Sequence, residues 1–270
     1  MHICERLKAV EPYSGRLGLT IGNFEGFHRG HREIVDTLVR MSRAKGLYSA
    51  VLTFSQHPVS VLAGRAPERL WSPTDKIRRF EEAGIDLLLS LDFTHEFASL
   101  TPKGFLDALA GTLSPRVLCL GANFRFGRAN AGDAAFLEES ADAYGYTLVT
   151  VEDYLVDGAP VSSTRTREAV KKGNIRLATK LLGRKYCVSL LPLERSGKVL
   201  IPFLEHSAVP AKGRYRGAME TPDISGGGRD TREVCTVRID NKLFFPEKCK
   251  GFEPGTLVRF YFERTEREEK

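Results

Sequence analysis

Apolar runs and helical patterns alternate over the first 151 residues of the chain. Five short runs are apolar at nearly every position, which is typical of strands buried on both faces of a sheet, and helical patterns separate them. This alternation predicts an α/β fold with a parallel sheet covered by helices. We expect Thr74 and Asp75 to cap the second helix and Thr101 to cap the third. The predicted strands are residues 17–22, 50–54, 86–91, 116–120 and 146–151, and the predicted helices are residues 31–45, 77–82, 102–111 and 133–144.

Beyond residue 184 the pattern changes to short strands separated by turns, after two shorter helices that follow residue 164. The Ser- and Gly-rich stretch 225–230 predicts a flexible loop. We therefore predict two domains, an α/β domain over residues 1–184 and a small all-β domain over residues 185–270. The strands predicted for the second domain are residues 187–191, 198–201, 233–239 and 256–262.

The composition is that of an ordinary globular protein. Of the 270 residues, 42% are hydrophobic and 27% are charged, and no apolar run approaches the roughly 20 residues that span a bilayer. Residues 1–15 carry charges and lack the apolar stretch of a signal peptide, so we expect a cytoplasmic protein without a membrane partner. Five cysteines are scattered singly, which predicts mostly reduced thiols, no disulfide framework and no metal site.

The formal charge of +6 and the pI near 9.1 leave two interpretations open. A basic protein can bind nucleic acid, but Lys and Arg are spread along this chain rather than gathered in one basic arm. A polyphosphate substrate also needs cationic partners and explains a modest positive charge equally well. The charge alone therefore decides nothing about the ligand.

The most informative segment runs from Gly22 to His31 and reads Gly-Asn-Phe-Glu-Gly-Phe-His-Arg-Gly-His. Glycine lets the backbone approach phosphate closely, and the N–H groups that begin a helix attract anions. His28 and His31 would reach the same phosphate oxygens and donate hydrogen bonds to the charge that develops in the transition state. The alternative is that both histidines are ordinary turn and helix residues. Their place between a strand and a helix favours a phosphate site.

The segment from Ser162 to Arg167, Ser-Ser-Thr-Arg-Thr-Arg, stands directly before a predicted helix. Hydroxyls, backbone N–H groups and guanidinium groups together can cradle a polyphosphate. The alternative is an ordinary N-cap with a basic first turn, which the helix dipole disfavours. Positive charge at this place is better explained if an anion binds beside it.

Two more segments follow strands of the predicted sheet, at the edge where such sheets bind ligands. In Gly-Ala-Asn-Phe-Arg-Phe-Gly, residues 121–127, Asn123 is a candidate donor, and Phe124 or Phe126 could stack on a planar ring or belong to the core. In Thr-Phe-Ser-Gln-His-Pro, residues 53–58, His57 is interpreted as structural rather than catalytic.

These segments, in this order, resemble the prokaryotic bifunctional FAD synthetase family over about residues 15–186. The resemblance implies a Rossmann-like nucleotidylyltransferase domain that uses ATP and FMN to form FAD and pyrophosphate, followed by a six-stranded β-barrel riboflavin kinase domain. It implies that His28 and His31 are catalytic and that Mg²⁺ bridges the substrate phosphates with few protein ligands. The implied ATP-binding residues are Gly22, Asn23, Phe24, Gly30, Ser162, Thr164 and Arg167, and the implied flavin-binding residues are Asn123, Phe126, Phe54 and His57.

The chain departs from the family pattern in both domains. In the first motif, Glu25 and Phe27 replace the usual aspartate and valine and keep the chemical type. In the second domain, the family's Gly-Phe-Pro-Thr-Ala-Asn stretch should fall near residues 198–210, where this chain reads Lys-Val-Leu-Ile-Pro-Phe-Leu-Glu-His-Ser-Ala-Val-Pro. Glu233 is the nearest candidate for the family's catalytic glutamate. We therefore expect a barrel that has lost its kinase site and serves interaction or stability.

Three other functions remain open at this point. The chain could keep both family activities, or it could be a related nucleotidylyltransferase acting on phosphopantetheine or nicotinate mononucleotide, although the segment at residues 121–127 is not expected there. A nucleic-acid-binding module would need a contiguous basic face, and because the chain carries no recognised binding motif we expect no nucleic-acid partner. The sequence does not indicate an oligomeric state.

Overall fold

The computed structural model describes residues 1–6, 10, 13–193, 198–204, 206–221, 231–247, 252–253 and 255–265. The chain divides into two compact units that are both discontinuous in sequence. The α/β unit consists of Met1–Pro67 and Thr74–Pro160, and the barrel unit consists of Glu68–Pro73 and Val161–Lys270. The two helices after residue 160 therefore group with the barrel, whereas the boundary at residue 184 stays a prediction about functional domains.

A six-stranded parallel sheet forms the centre of the α/β unit, in the order β1-β4-β3-β2-β5-β6. Its central strands are buried at almost every position, which explains their continuous apolar sequence. The predicted parallel α/β sheet is thus confirmed. The strands are β1 His2–Cys4, β2 Leu17–Ile21, β3 Tyr48–Phe54, β4 Leu87–Leu91, β5 Val117–Gly121 and β6 Thr147–Val151.

Helices follow most of these strands and begin at side-chain caps. Thr101 accepts from the N–H of Gly104, and Asp133 accepts from the N–H of Phe136, so the third and fourth predicted helices start where their caps indicate. The helices are α1 Arg29–Ala44, α2 Pro58–Ala63, α3 Pro73–Glu82, α4 His95–Ser99, α5 Pro102–Thr112 and α6 Ala134–Tyr144, and a two-stranded hairpin of β7 Leu155–Val156 and β8 Ala159–Pro160 ends the unit.

The strand order creates a crevice at the carboxyl ends of β2 and β5. From β2 the chain moves outward to β3 and β4, and it then crosses back to add β5 on the other side of β2. At such a switch point the loops after the two neighbouring strands diverge and leave room for a ligand. The segments after Ile21 and after Gly121 both start there.

The barrel unit is a closed, antiparallel six-stranded barrel in the order β10-β13-β12-β11-β14-β9, preceded by two helices. Val188, Phe244, Phe260 and Phe262 are among the fully or almost fully buried residues of this unit. The predicted β-barrel is confirmed. Its elements are α7 Ser163–Lys171, α8 Ile175–Leu182, β9 Cys187–Pro192, β10 Leu200–Pro202, β11 Gly213–Thr221, β12 Thr231–Asp240, β13 Leu243–Glu247 and β14 Val258–Thr265.

Several elements differ from the expectations. The third helix of the α/β unit, α3, begins at Pro73, so Thr74 and Asp75 lie in its first turn rather than before it. Strands β1, β11 and β13 and the short helices α2 and α4 were not predicted. The expected loop at residues 225–230 lies outside the described residues.

The cysteine expectation needs one correction. Cys4, Cys119 and Cys187 are free thiols, as predicted, and burial raises the pKa of Cys119 to about 12. Cys235, however, takes part in a disulfide bond. The spacing of single cysteines along the sequence could not show this bond.

Candidate active site

The turn after β2 has an unusual backbone that the surrounding packing holds in place. The N–H of Gly22 donates to the carbonyl of Leu52 at 3.0 Å, so the chain is still attached to β3 when it leaves the sheet. Phe24, Gly26 and Phe27 then adopt φ values of +50°, +74° and +39°. The two phenylalanines are strained by about 1 kcal/mol or more each, and such strain persists where burial offsets it.

Phe80 of α3 provides that burial. Its ring is fully buried and lies edge-on to Phe24 at 5.4 Å and to Phe27 at 5.3 Å, measured between ring centroids. Phe24 also meets the ring of His31 at 5.2 Å. Phe24, predicted to bind ATP, is 3% exposed and therefore acts on the site through packing against His31.

His28 and His31 lie face to face at the start of α1. Their ring centroids are 3.6 Å apart and their planes differ by 16°. His28 is the N-cap of α1, and its Nδ1 accepts the backbone N–H of His31 at 3.3 Å. Because Nδ1 is an acceptor, this hydrogen bond assigns the proton of a neutral His28 to Nε2. His28 thus presents a fixed donor beside the first N–H groups of a helix.

His31 is held in its neutral form. Burial lowers its pKa well below 6.5, and the neighbouring His28 and the cation of Lys76 lower the pKa further. Its Nδ1 is buried and has no hydrogen-bond partner in the described part of the chain. A buried polar atom of this kind is expected to find a partner when a ligand binds. At neutral pH His31 therefore offers a hydrogen bond but no formal charge.

A polar network joins the turn to β3 and α3. Lys76 donates to Oγ1 of Thr53 at 2.6 Å and approaches the carbonyl of Phe54 at 3.4 Å. The hydroxyl of Thr53 in turn donates to the carbonyl of Asn23 at 3.5 Å. The Nδ2 atom of Asn23 is buried without a partner among the described residues, which agrees with its predicted role as a ligand-binding residue. Sequence reasoning missed Lys76 because nothing in its local pattern marks it.

Gly30 has neighbours at ordinary contact distance, and its role in the approach of a ligand stays a prediction. A Cβ atom there would lie 3.4 Å from Nδ1 of His28 and 3.9 Å from Cβ of Tyr154. The adjacent Arg29 donates to the hydroxyl of Tyr154 at 2.7 Å. The first turn of α1 is thus anchored to the segment after β6, close to the histidine pair.

The segment after β5 divides between surface and core. Asn123 is exposed, and its amide donates to the carboxylate of Asp153 at 2.6 Å. Phe126 is 6% exposed and packs against Phe105 at 5.0 Å, so its position is that of a core residue. Phe124, half-buried, stacks on Phe126 at 5.7 Å and is better placed to meet a planar ring.

The segment after β3 supplies a second aromatic group. Phe54 is half-buried and meets Phe93 at 5.0 Å and Phe97 at 5.5 Å, both also half-buried. His57 caps α2, because its Nδ1 accepts the N–H of Val59 at 3.2 Å. This structural contact agrees with the interpretation of His57 from the sequence, and Phe93 and Phe97 are aromatic candidates that sequence reasoning missed.

The second phosphate segment lies in the barrel unit, at the start of α7. Ser162 is its N-cap and accepts the N–H of Arg165 at 3.1 Å, and Thr164 is exposed. Nε of Arg167 donates to the carbonyl of Glu68 at 2.7 Å. Ser162 is therefore a helix N-cap, which was the alternative to a phosphate site. Its hydroxyl oxygen accepts the backbone hydrogen bond, and its hydroxyl proton is still able to contact an anion.

The segment where the family's kinase stretch was expected pairs with residues 68–73 of the same unit. The N–H of Arg69 donates to the carbonyl of His206 at 2.6 Å, and the N–H of Ala208 donates to the carbonyl of Arg69 at 2.8 Å. The carboxylate of Glu68 meets Lys171 at 3.0 Å and Lys242 at 3.6 Å. Glu233 is exposed on β12 and lies opposite Met219 in the ladder between β11 and β12.

Across the described ranges, no group of three or more His, Cys, Asp or Glu side chains could hold a metal ion. Within the same part of the chain, none of the helices combines the length and the apolar character of a membrane span.

Residues 11–165, more than half of the chain, match the FAD synthetase family. The chain belongs to this family. This FAD synthetase family member is 36% identical over 173 residues to the bifunctional riboflavin kinase/FMN adenylyltransferase of Escherichia coli (strain K12). The aligned region covers 63% of this chain and 55% of the relative. The protein of the same description from Bacillus subtilis (strain 168) is 31% identical over 191 residues, 70% of this chain and 60% of the relative. The match thus spans less than two thirds of these relatives.

A solved structure extends the likeness in fold to both units of the FAD synthetase family chain. A macrolide-efflux protein from Streptococcus pneumoniae superposes with a TM-score of 0.82 and 22% identity, over 98% of this chain and 89% of that one. At this identity the likeness concerns the fold alone.

Proposed function

We propose that the protein is an FMN adenylyltransferase, which transfers AMP from ATP to FMN and releases pyrophosphate. The observation that carries this proposal is the stacked pair of His28 and His31 at the start of α1, at the switch point of the sheet. Membership of the FAD synthetase family supports it. ATP and FMN are the substrates, FAD is the product, and the use of ATP agrees with a cytoplasmic location.

The chemistry requires alignment of two anions more than it requires a base. The second pKa of a phosphate monoester is about 6, so the phosphate of FMN is largely dianionic at neutral pH and can attack the α-phosphorus of ATP directly. One P–O bond forms to the FMN phosphate oxygen while the bond to the pyrophosphate oxygen breaks. His28 and His31 donate hydrogen bonds to the oxygens that gain charge as this happens.

Other groups place the two substrates. In the α/β unit, Gly22, Asn23 and Gly30 would hold the nucleotide near the turn, and Asn123 would hold the flavin substrate. For Ser162, Thr164 and Arg167 of the barrel unit, the binding of the β- and γ-phosphates stays a prediction from the sequence. Phe54 would contact the flavin ring, and His57 and the buried Phe126 would support that pocket from behind. Mg²⁺ fits as a part of the nucleotide substrate, since phosphate oxygens and water can complete its coordination. The described residues provide no dedicated cage for it.

One experiment distinguishes FMN adenylyltransferase activity from riboflavin kinase activity. The protein is incubated with ATP and Mg²⁺ and either FMN or riboflavin, and the flavins are separated by chromatography. We expect FAD and pyrophosphate from FMN, and no FMN from riboflavin. Formation of FMN from riboflavin would establish the bifunctional alternative, which the closed barrel supports. No FAD from FMN would refute the proposal and direct the search to other phosphorylated acceptors.

Replacing His31 tests the assignment of the site. We expect His31→Ala to lower kcat by about 10²–10³, the usual effect of removing one donor to a developing oxyanion. His206→Ala, at an exposed position of the barrel unit, is the matched control and should keep full activity. Turnover of His31→Ala at the wild-type rate, with unchanged circular dichroism, would show that the pair has no catalytic role.

A further inference from the structure

Lys76 lies where the candidate site needs a formal positive charge. His31 contributes no positive charge at pH 7, because burial lowers its pKa well below the usual value. The reaction nevertheless brings a triphosphate and a phosphate dianion together, and their repulsion must be offset. In the α/β unit, the ammonium of Lys76 is close enough to His31 to act on its titration.

The position of this ammonium is fixed by β3. Its hydrogen bond to Oγ1 of Thr53 measures 2.6 Å, and Thr53 is 1% exposed, so the acceptor cannot move away. Because Lys76 donates to that oxygen, the hydroxyl proton of Thr53 is directed to the carbonyl of Asn23. The charge and the backbone of the turn are therefore linked through a single buried hydroxyl.

We propose that Lys76 is a positioning residue of the candidate active site, which holds the turn at Asn23 through Thr53 and attracts the phosphates of ATP towards His28 and His31. This inference rests on the proposed function for its substrate. The sequence motifs place the candidate residues in segments that follow strands or precede α1 and α7. Lys76 adds a residue that lies on α3.

The charge of Lys76 is tested with Lys76→Gln, which keeps a donor for Thr53 but removes the positive charge. We expect KM for ATP to rise about tenfold, the effect of losing one charged partner of a phosphate, while the fold is retained. Lys76→Arg keeps the charge and should restore most of the affinity. Lys45→Met is the matched control, because Lys45 is exposed at the far end of α1, roughly 20 Å of helix from His31.

A second readout does not depend on catalysis. The groups that face His31 and act on its charge are His28 and Lys76, and NMR titration of the free protein follows the imidazole of His31 directly. Lys76→Gln should raise the pKa of His31, whereas Lys45→Met should leave it unchanged. If wild-type protein forms no FAD but this shift appears, the proposed function fails and the contact between Lys76 and the histidines stands. If Lys76→Gln changes neither KM for ATP nor the titration of His31, the inference about Lys76 is overturned.

Discussion

Phe80 is the residue whose replacement tests how packing controls the candidate site. It belongs to α3, makes no contact with substrate in the proposed arrangement, and supports the strained turn through Phe24 and Phe27. We choose Phe80→Leu, because leucine keeps an apolar side chain in the core while it removes both edge-to-face ring contacts. Loss of two aromatic pairs at about 0.5–1.5 kcal/mol each gives an expected destabilisation of about 2 kcal/mol.

The functional effect should exceed what the lost stability explains. The ring centroids of Phe24 and His31 lie 5.2 Å apart, so a displacement of Phe24 in the variant would also displace His31. Because misplacement of a reacting group by about 1 Å can cost 10²-fold in rate, we expect kcat to fall at least tenfold at a temperature where the variant is fully folded. KM for FMN should change little, since the ring contacts of Phe80 with Phe24 and Phe27 support the turn that carries the histidines.

The assay combines urea unfolding, followed by far-UV circular dichroism, with initial rates of FAD formation. Phe244→Leu in the barrel is the matched control, because Phe244 is also fully buried and has an aromatic neighbour, Phe262, at 6.4 Å. It should lower stability and leave kcat unchanged. A destabilised Phe80→Leu that retains wild-type kcat would show that the aromatic contacts do not position the histidines.

Two further predictions concern pH and the barrel. The pKa of His31 is lower in the folded protein than in the unfolded chain, so the unfolded chain binds more protons below pH 6.5. The free energy of unfolding should therefore fall as the pH drops below 6.5 towards the folded pKa, by up to about 1.4 kcal/mol per pH unit. Urea midpoints at pH 6.5 and 5.5 should show a smaller loss for His31→Gln, and equal losses would contradict the buried neutral state. Gly217→Ala should destabilise the barrel by about 1–3 kcal/mol, because its Cβ atom would lie 2.3 Å from the carbonyl oxygen of Tyr261. Gly213→Ala, with its nearest contact at 3.4 Å, should unfold near the wild-type midpoint, and similar midpoints for both variants would disprove this clash.

The sequence predicted the α/β sheet because strands buried on both faces must be apolar throughout, as in β3 and β5. It missed β11, whose sequence Gly-Arg-Tyr-Arg-Gly carries charges at the outward positions of the barrel, and β1, which has only three residues. Periodicity is weak in both cases, and pairing with neighbouring strands decides the structure instead.

The candidate site was predictable where local spacing determines it. His28 and His31 are three residues apart, and one helix turn brings them together wherever the helix lies. Lys76 and Phe80 reach the same site from α3, more than forty residues along the chain. For Phe126 the sequence left a ligand contact and a core position open, and its ring is buried in the core, while its role in flavin binding stays a prediction.

The stretch Glu68–Pro73 has a practical consequence for anyone who wishes to separate the two halves of this protein. Although it precedes α3 in the chain, its Arg69 completes hydrogen bonds of His206 and Ala208, and its Glu68 neutralises Lys171 and Lys242. A C-terminal fragment cut at any single peptide bond after residue 73 would lose these partners. The barrel unit therefore cannot be isolated intact by one such truncation. A stable fragment would have to include residues 68–73 or receive them as a separate peptide.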